Sequence, residues 1–225
     1  KLNNFQIFSY VMTPKQRAAK VINLLKKEYP AAKIALYSNN PMQLLVAVIL
    51  SAQCTDKMVN IVTKHLFKKY KTVDGFAKAD LNTFQNEIRS TGFYRNKAKN
   101  IIATARIIQK DFNGKIPDNM DDLLKLKGVA RKTANIVLSN VYGVLAGIAI
   151  DTHMKRVNYR LGLTDNTNPD KIEQDLMKII PKKLWNRYTY LIIEHGRAVC
   201  KAPVPACSKC VLSKVCPRKG VVKSV

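Results

Sequence analysis

The chain is 225 residues long and carries 39 Lys and Arg against 15 Asp and Glu, a formal net charge of +24. That imbalance points to a polyanionic partner, while a hydrophobic content of 47% is enough to bury a sizeable core and excludes intrinsic disorder. The longest apolar stretches, Met42–Ala52 and Ile136–Ile150, fall short of the roughly 18–20 residues of a bilayer span and read as buried core helices.

The basic residues are distributed rather than gathered in a tail. Lys1–Lys33 holds 7 basic and 1 acidic residue, Ile34–Gly147 holds 17 and 8, and Ile148–Val225 holds 15 and 6. A membrane surface would favour one basic amphipathic helix, so nucleic acid is the better match to a globule that is basic throughout. The N-terminus shows no basic segment leading into an apolar run with a small-residue cleavage site, and no secretory signal is expected. In a cytosolic setting the five cysteines are not expected to pair as disulfides.

Periodicity near 3.6 runs through almost the whole chain, with no convincing period-2 alternation between hairpin turns, so an all-α fold is predicted. Thr13-Pro14 supplies a cap and a first-position proline for a helix to about Tyr29, and Asn40-Pro41 does the same for the apolar helix through Ser51. Amphipathic helices follow at Thr55–Tyr70, Ala79–Arg89 and Asn96–Asp111, separated by short turns that contain Gly75 and Gly92. Pro117-Asp118 opens a short helix to about Leu126, with Asp121 and Asp122 favouring its positive end. The turn Lys127-Gly128-Val129-Ala130 then leads into a second helix from about Arg131, and helices are predicted near Thr152–Leu161, Pro169–Ile179 and Lys182–Ala198 before a Pro/Cys-rich tail. No internal repeat or low-complexity segment interrupts this order.

In that tail Cys200, Cys207, Cys210 and Cys216 fall at spacing C-x6-C-x2-C-x5-C. Four thiolates so close in sequence indicate a metal site. A four-cysteine zinc site is one reading, but zinc modules usually offer two separated C-x2-C knuckles, whereas one knuckle flanked by single cysteines suits a [4Fe-4S] cluster with one thiolate per iron. Cys54, in an apolar helix, reads as a small buried hydrophobe.

The hairpin Leu126–Thr133 sends a small-residue turn straight into a helix N-terminus. Backbone amides of Lys127, Gly128, Val129, Ala130 and Arg131 there can cradle a DNA phosphate, although short glycine turns also serve as plain helix connections. Lys132 falls in the first turn of the second helix, where the helix dipole and Arg131 disfavour the ammonium form and so favour a nucleophilic amine; the bland alternative is one more solvated lysine. Asp151 follows the apolar run Gly147–Ile150 and precedes Thr152-His153, a position equally suited to a helix N-cap and to a carboxylate presented from a buried segment.

These residues resemble the endonuclease III family of helix-hairpin-helix DNA glycosylases. The resemblance covers nearly the whole chain and rests on Leu126–Asn135, Ile150–His153, Leu50–Asp56 and His195-Gly196-Arg197 leading into the four cysteines. It implies two helical domains: a six-helix barrel over residues 34–147 that contains the hairpin, and a discontinuous domain of residues 1–33 and 148–225 that carries the cluster, with DNA in the cleft between. It further implies a bifunctional glycosylase and abasic-site lyase of base excision repair, with oxidised pyrimidines in duplex DNA as substrate. Lys132 would attack C1′ of a flipped nucleotide and Asp151 would assist it, Gln53 would fill the vacated hole, and Phe93 would act as an apolar wedge, although a core aromatic is an equal reading of Phe93 on sequence alone.

The chain departs from the family pattern at Ala130, where a second hairpin glycine is usual; an alanine forced to positive φ would cost roughly 1 kcal/mol. Lys127 replaces a frequent proline, and of the basic residues common between the first two cysteines only Lys201 remains. Lys132 argues against a monofunctional mismatch glycosylase, which characteristically lacks it; a non-catalytic DNA-binding redox sensor is the remaining alternative. A monomer is expected, working in the cytoplasm on the nucleoid, or in a nucleus.

Overall fold

The computed structural model describes residues 12–225, so the expectation about the N-terminal segment lies outside the described residues. Among those residues every regular element is a helix, in the order α1 (Pro14–Glu28), α2 (Pro41–Leu50), α3 (Asp56–Lys69), α4 (Val73–Ala77), α5 (Leu81–Glu87), α6 (Tyr94–Asp111), α7 (Met120–Leu124), α8 (Arg131–Val141), α9 (Thr152–Arg160), α10 (Pro169–Ile179) and α11 (Trp185–Ala198). No helix among them is long and apolar enough to cross a membrane.

The starts are set by side chains that satisfy the orphan amides of a first helical turn. Thr13 and Gln16 form a reciprocal capping box at α1, the Gln16 amide donating to Thr13 Oγ1 at 3.3 Å and the Thr13 amide to Gln16 Oε1 at 2.9 Å. Asn40 accepts from the Gln43 amide at 2.9 Å ahead of Pro41, Thr55 caps α3, and Asn168 caps α10.

Three elements differ from expectation. α4 occupies a stretch that reads as a turn, because five residues are too few to display a helical period; Thr72 caps it through the Gly75 amide at 3.1 Å. The helix expected at Ala79–Arg89 is shortened to α5 by Asp80, which caps it at Thr83, and a 3₁₀ turn at Arg89–Thr91 follows. The apolar run Ile136–Ile150 is not one helix. α8 stops at Val141, where the amides of Tyr142 and Val144 both return to Leu138 O, and Ile148, Ala149 and Ile150 are buried in chain that is not helical.

The described residues divide into two compact units, one of residues 33–149 and one of residues 12–32 with 150–225. In the first, α2 is buried along Met42–Leu50 and forms the axis of a core that includes Val59, Leu66, Phe84, Ile101 and Leu138. Around it Phe76 stacks on Tyr70 and meets Phe84 edge-on. In the second, α1 packs on α10 and α11, and α9 packs on α11. Tyr188 is fully buried there and donates to Asn158 Oδ1, and Trp185 donates its indole N–H to Ile180 O at 2.9 Å.

Candidate functional site

The hairpin joins α7 to α8 through Leu126–Ala130. Gly128 takes φ +76, and a Cβ there would meet Asn100 at 2.9–3.2 Å, so both backbone conformation and space demand glycine. Ala130 does not carry the strain that its replacement of a glycine suggested: it sits at φ −104, ψ 172, an extended N-cap that any residue adopts. Its methyl group offers no side-chain cap to the first turn of α8. Lys127 and Gly128 are exposed, with Lys127 O accepting from Thr104 Oγ1 at 2.8 Å. Val129 turns its side chain into the core and donates its amide to Leu126 O, so it anchors the turn rather than facing a ligand. Arg131 is half-buried and Lys132, in the first turn of α8, is exposed.

Gln53 and Phe93 lie on separate segments of the same unit. Both are exposed and both have left-handed backbone, at φ 53 and φ 48. Phe93 is 64% exposed, which removes the core reading and leaves a large apolar ring held out at the head of α6. Strained, exposed residues of this kind collect at functional sites. Cys54, beside Gln53, is half-buried against the core.

Asp151 belongs to the other unit from Lys132. It is the N-cap of α9, its Oδ1 accepting from the Met154 amide at 2.7 Å. The same helix reaches the cysteine loop: Arg156 Nε donates to Cys200 O at 3.1 Å, and Arg160, buried, donates to Lys201 O at 2.7 Å, Pro203 O at 3.1 Å and Cys200 Sγ at 3.4 Å.

Cys200, Cys207, Cys210 and Cys216 are free of disulfides and line one cavity together with Arg160 and His195. Cys216 Sγ accepts from the Arg218 amide at 3.3 Å and lies 3.4 Å from Arg160 O. Burial pushes the Cys210 thiol up to about 11, with the other three cysteines adding in the same direction, and burial raises Cys216 as well. His195 is buried, with Nε2 3.6 Å from Cys210 Sγ and Nδ1 3.4 Å from Tyr29 Oη; desolvation lowers its pKa to about 4, so the ring is neutral. Among the described residues no group of three or more His, Cys, Asp or Glu is arranged to hold a single metal ion.

Reading the sequence missed three side chains that organise these segments. Arg156 and Arg160 had a visible signal, the spacing of four that puts both on one face of α9. Lys97 had none, as one of 39 basic residues; it is 5% exposed and donates to Leu50 O at 2.8 Å and Thr91 O at 2.7 Å. A separate cavity of about 630 Å³, bordered by Pro41, Lys71, Phe112, Asn119 and Tyr142, contains none of the predicted site residues.

The HhH-GPD superfamily base excision DNA repair protein model matches residues 46–182. Endonuclease III of Synechocystis sp. is 52% identical over 203 residues, spanning 90% of this chain and 93% of that protein. Among solved structures, a non-covalent endonuclease III–DNA complex aligns at TM-score 0.87 and 44% identity, covering 92% of this chain and 97% of that one. A trapped endonuclease III–DNA covalent intermediate aligns at TM-score 0.87 and 43% identity, with the same coverage. With matches of this extent to both sequence and structure, the chain belongs to the endonuclease III family within the HhH-GPD superfamily of base excision DNA repair proteins.

Proposed function

We propose that the protein is a bifunctional DNA glycosylase and abasic-site lyase that removes oxidised pyrimidines from duplex DNA, with Lys132 as nucleophile. The observation that carries this reading is an exposed lysine in the first turn of α8, immediately after a glycine hairpin whose N-cap residue, Ala130, supplies no capping side chain. A phosphate bound at the hairpin amides would lie against the positive end of the helix, fixing the DNA backbone next to the amine.

The chemistry needs the neutral amine. Lys132 Nζ attacks C1′ of the extruded nucleotide, the bond from C1′ to the base breaks, and the base leaves with the bonding pair and takes up a proton. The nitrogen then expels the ring oxygen to give an iminium at C1′. Loss of a C2′ proton allows β-elimination, in which the C3′–O bond breaks and the 3′ phosphate departs. The carboxylate of Asp151 would stabilise positive charge developing on the sugar and accept protons from the lysine. Gln53 and Phe93, held out in left-handed conformation, would occupy the space the nucleotide leaves and keep it from restacking. The high positive charge supplies phosphate contacts that are independent of sequence and weaken as salt rises. The substrate places the enzyme on the chromosome, in the bacterial cytoplasm or a nucleus.

The residues of the cysteine loop fit a [4Fe-4S] cluster held by Cys200, Cys207, Cys210 and Cys216. The four cysteines line one cavity, and a single C-x2-C knuckle flanked by single cysteines suits one thiolate per iron better than the paired knuckles usual for zinc. Buried thiols whose protons are held this firmly need a cationic core to become thiolates. When bound, the cluster would fasten the loop by four Fe–S bonds, and Arg160 holds the loop backbone in place for it.

The test is borohydride trapping on abasic-site DNA. Wild-type protein is expected to form a covalent adduct, and Lys132→Gln to bind the same DNA without forming one; an adduct that persists in Lys132→Gln would refute the assignment. Iron and acid-labile sulfide should be found in equal amounts in the purified protein, and a zinc-loaded colourless preparation would refute the cluster.

A further inference from the structure

Two exposed turns separated by about 40 residues of sequence are joined at one buried point. α2 ends at Leu50 and runs into the turn that carries Gln53, and the 3₁₀ turn ending at Thr91 runs through Gly92 to Phe93. Lys97, one helical turn into α6, places Nζ between the last carbonyl of α2 and the carbonyl of Thr91, at 2.8 and 2.7 Å. Burial disfavours its charge and only Cys54 nearby favours it, so the ammonium rests chiefly on the two backbone carbonyls that accept from it. An apolar side chain would fill this space without the desolvation cost of a charge. A lysine does what an apolar residue would not: one atom fixes the distance and direction between two chain segments.

We propose that Lys97 is a positioning residue that locks the Gln53 and Phe93 turns into one rigid element, so that both side chains enter the DNA together when a nucleotide is extruded. This rests on the reading of Gln53 and Phe93 as the residues that occupy the opened duplex. Both turns are strained and exposed at their tips, Gln53 and Phe93, so the aim of those two side chains depends on how the base of each turn is held. The Lys97 bridge supplies that restraint from beneath, at the base of each turn. Its role ends at extrusion, because it reaches neither the sugar nor the base, and it makes no demand on the chemical step.

Lys97→Met, which keeps an unbranched chain one atom shorter and removes the donors, tests this. Two substrates are compared under single-turnover conditions: a duplex containing a paired thymine glycol, and single-stranded DNA with an abasic site, where nothing has to be extruded. The variant is expected to lose about tenfold or more on the duplex and to keep the single-stranded lyase rate, with 2-aminopurine fluorescence beside the lesion showing less unstacking. In a Gln53→Ala/Phe93→Ala background the further effect of Lys97→Met is expected to shrink to less than about twofold, since the two turns then carry nothing to aim. Equal losses on both substrates, or an undiminished effect in that background, would overturn the proposal. If Gln53→Ala/Phe93→Ala itself extrudes and cleaves normally, the underlying reading of those two residues fails instead, and the proposal with it. Should Lys97→Met not fold, Lys97→Gln, which keeps two N–H donors on a shorter stem, is put through the same comparison and is expected to show the same selectivity with a smaller loss.

Discussion

Gly128→Ala isolates what the hairpin demands of its backbone, because Gly114 provides a control. The two glycines have nearly the same left-handed backbone, φ +76 and φ +74, but a Cβ at Gly114 would meet nothing within 4 Å, whereas one at Gly128 would meet Asn100 Nδ2 at 2.9 Å, Cβ at 3.0 Å and Cγ at 3.2 Å. Left-handed alanine costs about 1–2 kcal/mol, offset by about 0.4–1 kcal/mol because alanine restricts the unfolded chain. Gly114→Ala should therefore lose roughly 1 kcal/mol or less. Gly128→Ala adds the overlap with Asn100, and overpacking of this kind costs about 1–3 kcal/mol, so a difference of about 2 kcal/mol between the variants is expected. For a chain of this length each kcal/mol shifts the midpoint by about 2–4 °C, so thermal unfolding should place Gly128→Ala about 4–8 °C below Gly114→Ala. Asn100→Ala removes two of the three close contacts and should restore part of that gap in the double variant. Equal midpoints for the two glycine variants, or no recovery with Asn100→Ala, would refute the claim that α6 sets the shape of the hairpin.

Asp151 combines a cap with a proposed chemical role, and two substitutions separate them. Asp151→Asn keeps an oxygen for the Met154 amide and should melt within a degree or two of wild type while losing strand cleavage; Asp151→Ala should lose cleavage and also about 1 kcal/mol of stability. Cleavage that survives in the asparagine variant would leave Asp151 as a cap alone. Asp175 makes a pH prediction in the same unit: hydrogen bonds from Thr164 Oγ1 at 2.6 Å and Asn166 Nδ2 at 2.7 Å hold its pKa below the ordinary carboxylate value. A depressed folded pKa contributes stability above the unfolded value of about 4, and that contribution is lost as pH falls through the folded value. Asp175→Ala, which also leaves the buried Thr164 hydroxyl without an acceptor for its proton, should cost about 1–3 kcal/mol at neutral pH. The gap to wild type in thermal midpoint should narrow below about pH 4, and a gap that stays constant from pH 7 to pH 3 would contradict the assignment.

Legibility in the sequence followed the range of the physics. Thr13-Pro14 and Asn40-Pro41 announced α1 and α2 because a cap and a first-turn proline are adjacent residues, and their effect is local. The hairpin was visible as a turn, and its glycine requirement at Gly128 was not: that is imposed by Asn100, a contact between distant segments. Ala130 misled for the converse reason. A glycine replaced within a motif suggested strain, but only the backbone reveals that the strained position is Gly128 and that Ala130 is extended. The early end of α8 was also hidden, since Ile148–Ile150 are as apolar as a helix interior and burial does not distinguish helix from non-helical chain. Phe93 could be placed outside the core only once its surroundings were known.

α6 explains why the least legible contacts matter most. Phe93, Lys97, Asn100 and Thr104 recur at spacings of four, three and four, which puts them in one row along a face of the helix over about 16 Å. Phe93 caps the start of that row; Lys97 holds the ends of α2 and of the Arg89–Thr91 turn; Asn100 lies against Gly128; and Thr104, fully buried, donates to Lys127 O. In sequence the row is three polar residues and an aromatic on an amphipathic helix, indistinguishable from a solvated face. In the folded unit each polar side chain bonds or packs against the backbone of another segment, and those segments carry Gln53, Phe93 and the hairpin. A single helix thus sets the relative positions of every DNA-contacting element proposed in this unit. It follows that substitutions along the row should act together on DNA binding and nucleotide extrusion, whereas exposed lysines elsewhere, each one contributor to the +24 charge, should act separately and through salt-dependent affinity.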